Sequence, residues 1–185
     1  VPRCTILGLT PGGEDMRADY VWKESLDHVF AALMPANRLA CEVSMATGLR
    51  IGDVLALTRD QIEKGRFTVQ EQKTGKNRRV RLPEGLQMRI LAQAGPIYAF
   101  PGRLDGKKHR TRQAVYRDVR RAAKAFRLQE HLSPHSLRKV YAVMQYRKTG
   151  SMQRVQELLH HSDEAVTAIY ALADVLTERR LAGKG

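Results

Sequence analysis

Cysteine is scarce in this sequence, and its two examples, Cys4 and Cys41, share no CxxC or Cys/His spacing. A structural zinc site and a disulfide-stapled secreted fold are therefore not expected, and a reducing compartment fits. Long apolar runs are missing as well. No stretch approaches the roughly 18 residues that a spanning helix needs. No signal peptide, internal repeat or low-complexity tract is visible in these residues. Acidic residues are in the minority, with 19 Asp and Glu against 32 Lys and Arg, for a net charge of +13. Such an excess of one sign disfavours a cationic partner and suits a polyanion, of which nucleic acid is the usual one. With 185 residues, 43% of them hydrophobic, the chain can bury a core of one substantial domain. It begins with Val1 rather than Met, so a piece of a longer chain is expected.

The order of elements follows from punctuation and period. Residues 1–20 read as an irregular lead-in broken by Pro11, Gly12 and Gly13. Trp22, Leu26, Val29, Phe30 and Leu33 recur at helical spacing up to Pro35. Asn37 is positioned to cap a second helix that Gly48 ends, and a short helix over 51–57 follows. The period then changes to two. Phe67 and Val69, then Val80 and Leu82, alternate with polar residues around Thr74-Gly75-Lys76-Asn77, which predicts a β-hairpin over about 66–82. A helix is expected from Glu84 to Gln93.

Thr111 caps a helix whose apolar stripe is Val115, Val119, Ala122, Ala123 and Phe126. Residues 107–127 carry nine Lys or Arg and one acid, Asp118, a bias that favours a phosphate-facing surface over a merely solvated one. Ser133-Pro134 starts a helix that runs to about Thr149, before Gly150. Ser151 caps the next, ending near Leu159. A further helix from Ser162 or Asp163 carries Tyr170, and Asp174 caps a tail helix over 174–182. The fold class is α+β, mainly α-helical with one small antiparallel sheet, in a single domain over residues 1–185.

Five pieces of sequence carry chemistry: Thr47-Gly48-Leu49-Arg50, Lys73-Thr74-Gly75, His135-Ser136-Leu137-Arg138, Leu159-His160-His161-Ser162, and Tyr170. Each alone is commonplace. In this order and spacing they resemble the tyrosine recombinase (phage integrase) family over roughly residues 22–182. The resemblance implies the catalytic-domain fold of that family and assigns the catalytic set Arg50, Lys73, His135, Arg138, His161 and Tyr170. Lys76 is the alternative to Lys73. Asp53 matches an acidic position that steadies the site. His160 stands where the family usually has Gly, and Lys139 where many members carry a His.

These residue types suit attack on a phosphodiester. Two guanidiniums, Arg50 and Arg138, can hold the nonbridging oxygens through paired hydrogen bonds and stay charged at any working pH. His135 and Arg138 lie one helical turn apart and can face one phosphate. Tyr170 needs its phenol proton removed, which a cationic pocket favours and His135 can accept. His161 would donate to a nonbridging oxygen. The resemblance gives Lys73 the protonation of the leaving 5′ oxygen, with a 3′-phosphotyrosyl intermediate. No cofactor or metal is called for. The expected partners are double-stranded DNA and further copies of the chain, as a tetramer on DNA, with no membrane, in the bacterial cytoplasm. An N-terminal DNA-clamping domain is expected to be missing from this piece. A type IB topoisomerase-like enzyme and a catalytically dead DNA-binding module are the competing readings.

Overall fold

A computed structural model describes residues 23–128 and 132–159. The order is α1 (Lys23–Ala32), α2 (Pro35–Thr47), α3 (Ile51–Leu55), α4 (Arg59–Lys64), β1 (Arg66–Gln70), β2 (Asn77–Arg81), α5 (Glu84–Leu91), α6 (Arg112–Ala125), α7 (Pro134–Thr149) and α8 (Met152–Leu158). The lead-in over 1–20, Trp22, His160, His161, Tyr170 and the expected tail helix lie outside the described residues.

Helix α2 is central. It packs on α7, α3 and α5, while α6 touches α1, α3 and α7. Its apolar residues Leu39, Ala40 and Val43 are buried, and one continuous core joins them to Val54, Ile90, Val119 and Leu137. Each such aliphatic side chain taken out of water contributes about 1.5–3 kcal/mol for a Val, Leu or Ile.

The caps follow sequence chemistry closely. Ser133 accepts from His135 N, and Ser136 Oγ accepts from Ser133 N, with Pro134 in the first turn. Thr111 caps α6 through Ala114 N. Gly48 ends α2 in the left-handed region, at φ +70°.

Two expectations need correction. Asn37 does not cap α2. Pro35 already occupies the first turn, Met34 is the N-cap, and the Asn37 side chain turns inward to donate to Asp118 Oδ2 at 2.7 Å. The helix expected over 51–57 stops at Leu55, and a separate helix, α4, follows. Thr58 and Gln61 form a reciprocal capping box there. The segment has one buried apolar residue, Ile62, too few to show a period.

The β-hairpin pairs Phe67 with Val80 and Val69 with Arg78 in an antiparallel register. On β2, Arg78 and Val80 are buried while Asn77, Arg79 and Arg81 are exposed.

Candidate active site

The three residues that follow α2 set the position of Arg50. Gly48 takes a left-handed backbone that most residues avoid, and it has no room for a side chain. A Cβ there would sit 2.6 Å from Tyr141 Cδ1 and Cε1. Leu49 is fully buried. Its carbonyl accepts from Ser44 Oγ at 2.7 Å, and its N–H donates to Thr47 Oγ1 at 3.3 Å. Arg50 then opens α3, and its carbonyl accepts from Val54 N. The backbone that delivers Arg50 is thus tied at every step.

The Arg50 side chain is 12% exposed. Its Nη1 donates to Glu71 Oε2 at 2.7 Å. Its Nε is buried and has no hydrogen-bond partner. Glu71 occupies Nη1, so the Nε/Nη2 edge is the one left for an anionic ligand. That edge is the fork through which arginine grips two oxygens of a phosphate.

Lys73 is exposed on the turn between β1 and β2. Its neighbours fasten the turn to the same centre. Gln72 N donates to Asp53 Oδ1 at 3.0 Å, and Thr74 Oγ1 donates to Glu71 Oε2 at 3.1 Å. Lys76 is also exposed, further along the turn.

Arg138 is buried to 2% exposure on α7, the helix that packs on α2. His135, one turn earlier, is exposed. Asp53 is acted on by Gln72, Glu71, Arg50 and Arg138. Burial pushes its carboxyl up, the Gln72 N–H pulls it down, Glu71 pushes it up, and Arg50 and Arg138 pull it down, leaving it above the ordinary carboxylate range. Arg50 and the Lys73 turn are therefore tied to two buried acids, Asp53 and Glu71, and the charge of Arg138 acts on Asp53. His161 and Tyr170 lie outside the described residues.

Four residues absent from the expected set belong to this neighbourhood. Glu71 and Arg78 form an ion pair at 3.5 Å between Oε1 and Nη1. Arg78 also donates to the carbonyls of Thr47 and Gly48, at 2.5 and 3.3 Å, and sits 5.7 Å from the centroid of the Tyr141 ring. Arg112, at the start of α6, lies beside the short loop–helix connection, where a Cβ on Gly52 would come within 3.1 Å of its Cδ. The two-residue alternation that buries Val69 and Val80 also turns Glu71 and Arg78 inward, and that was the available signal.

The phage integrase family model matches residues 23–175. A probable integrase/recombinase, YoeC, of Bacillus subtilis is 31% identical over 138 residues, covering 72% of this chain and 75% of the relative. The tyrosine recombinase XerC of Pseudomonas aeruginosa is 34% identical over 144 residues, covering 72% of this chain and 46% of the relative. The chain thus spans about half the length of that relative. A lambda integrase dimer bound to a COC′ core site is similar in fold, with a TM-score of 0.69 at 24% identity, over 85% of this chain and 49% of that one.

Proposed function

Because the chain belongs to the phage integrase family, we propose that it is the catalytic domain of a site-specific DNA recombinase that cuts and rejoins strands through Tyr170. The observation that carries this reading is the tying of Arg50, whose Nε has no hydrogen-bond partner, and of the Lys73 turn to the buried acids Asp53 and Glu71, with the buried Arg138 acting electrostatically on Asp53.

The chemistry balances without a metal or a nucleotide. The Tyr170 oxygen attacks the phosphorus while His135 accepts the phenol proton. Arg50 and Arg138 hold the charge that builds on the nonbridging oxygens, and His161 donates a further hydrogen bond. The bond to the 5′ oxygen breaks, and Lys73 supplies its proton. The product is a 3′-phosphotyrosyl link and a free 5′-hydroxyl. That link conserves the bond energy, so attack by another 5′-hydroxyl rejoins DNA without ATP. When that hydroxyl belongs to a partner duplex, strands are exchanged. The reading includes assembly of several copies on double-stranded DNA in the cytoplasm of a bacterial cell. It also takes residues 1–185 as one catalytic domain that works beside an N-terminal DNA clamp. The +13 charge supports a DNA partner.

The test is covalent trapping in EDTA on a pool of nicked suicide duplexes with randomised sequence around the nick. A denaturant-stable protein–DNA adduct is expected from the native chain and not from Tyr170→Phe. An adduct that survives Tyr170→Phe removes Tyr170 as nucleophile, and an adduct that EDTA abolishes removes the metal-free mechanism.

A further inference from the structure

Glu71 is the most deeply buried acid among the described residues, at 0% exposure, although it directly precedes an exposed turn. A carboxylate shut away from water is costly and persists only with strong partners. Its Oε2 accepts from Arg50 Nη1 at 2.7 Å and from Thr74 Oγ1 at 3.1 Å, and its Oε1 lies 3.5 Å from Arg78 Nη1. Its main chain closes the turn that bears Lys73. Glu71 N donates to Lys76 O at 3.0 Å, and its carbonyl accepts from Gly75 N at 2.8 Å. One residue thus grips the Arg50 guanidinium with its side chain and the Lys73 turn with its backbone.

Arg78 completes the arrangement from the other side. It holds the carbonyls of Thr47 and Gly48, just upstream of Arg50, while paired with Glu71. The Arg50 backbone and side chain are therefore both referred to the Glu71–Arg78 pair. A guanidinium held only by its own flexible stem would sample many rotamers and lose them on meeting a phosphate. Held at Nη1, it has its Nε/Nη2 edge oriented in advance of substrate.

We propose that Glu71 is a positioning residue that fixes the Arg50 guanidinium relative to the Lys73 turn and so preorganises the phosphate-binding fork. The proposal rests on the reading of Arg50 and Lys73 as phosphate-site groups. It separates Glu71 from a role in folding alone, because its effect must pass through Arg50.

Two measurements decide it. The first is the ¹⁵N order parameter of the Arg50 Nε–H in the DNA-free chain. It is expected to match rigid backbone, about 0.85, in the native protein and to fall below about 0.6 in Glu71→Gln. Glu71→Asp keeps the charge but draws it back from Arg50, and is expected to lower the value as well. If neither variant folds, the native value decides, and a mobile Arg50 in the native protein overturns the proposal.

The second measurement is single-turnover cleavage of the nicked suicide duplexes. Glu71→Gln is expected to slow adduct formation roughly 10–100-fold, as loss of a supporting partner does elsewhere. In an Arg50→Ala background the same substitution should change the rate less than about twofold, because the two residues act as a unit. An Arg50 as ordered in Glu71→Gln as in the native chain overturns the proposal. So does an equal loss of rate whether or not Arg50 is present. A native chain that forms no adduct counts against the DNA-cutting reading, and the order parameters then decide the positioning role alone.

Discussion

Asp118 and Asn37 meet at 2.7 Å across the interface of α6 and α2, carboxylate oxygen to amide nitrogen. The same oxygen, Oδ2, accepts from Met34 N at 2.9 Å, while Oδ1 accepts from Arg121 Nη2 at 2.6 Å. Asp118 is the one acid in a basic helix, and it joins that helix to the start of α2. Burial would push its carboxyl up. The hydrogen bonds from Asn37, Arg121 and Met34 outweigh burial and hold it below the ordinary carboxylate range.

Removal of that joint should be felt as stability. Asp118→Ala leaves the buried Asn37 amide and the Met34 N–H without their acceptor and is expected to cost about 1–3 kcal/mol. The contribution of the carboxylate is present above the pKa it has in the unfolded chain and is lost as pH falls through its lower folded value. Urea midpoints at pH 7 and pH 3 should therefore converge between the native chain and Asp118→Asn as the solution is acidified. A gap that widens toward pH 3 would sink this account.

Gly48→Ala is expected to destabilise on two grounds. A left-handed backbone costs a non-glycine residue roughly 1–2 kcal/mol. The new methyl would also meet the Tyr141 ring at 2.6 Å. Substitution of Tyr141 by Leu in the same chain should recover the steric part and not the backbone part. Thermal melts of the two single variants and the double variant would separate them, and simple additivity would show that the ring is not involved.

For Arg138, charge alone should not suffice. Arg138→Lys keeps a cation and loses the planar fork, and under the proposed grip on two phosphate oxygens the adduct-forming step is expected to slow roughly 10²-fold or more. DNA affinity, measured alongside by filter retention, should move far less. Equal losses of affinity and rate would recast Arg138 as a binding group.

Arg112 is exposed beside the active-site connection and belongs to the basic run of α6. Arg112→Gln should weaken DNA binding to much the same degree on any sequence. The slope of log affinity against log salt should shrink by about 0.9 if one phosphate contact is lost. An unchanged slope would place Arg112 off the DNA.

Much of this was legible in the residues themselves. Helices α6 and α7 begin at Thr111 and Ser133 because a hydroxyl accepts the first orphan N–H groups, and that chemistry is local. The hairpin was visible because alternation and a Gly-containing turn coincide. What failed was the part that depends on distant partners. Asn37 looked like a cap because Asn caps helices, but an acid 81 positions later claims its amide. Helix α4 was missed because its signal lies in the Thr58–Gln61 box and not in an apolar stripe. The candidate set holds the groups proposed to touch DNA. It omits Glu71 and Arg78, since charged residues in a hairpin are ordinarily taken as solvated, although the alternation carries them inward.

The two-stranded ribbon of β1 and β2 has a further consequence for how copies of the chain meet in solution. With two strands in the sheet among the described residues, its outer backbone groups are a template on which a second molecule could add its own strand. Arg66, Arg79 and Arg81 project from those strands into solvent. Any such addition in parallel or antiparallel stacking would crowd like charges together, which opposes fibril-like association. The protection is ionic, so it weakens as the Debye length shrinks from about 10 Å at 0.1 M salt to about 3 Å at 1 M. The arginines that make the ribbon attractive to a polyanion thus also keep it apart from its own kind, most strongly at low salt.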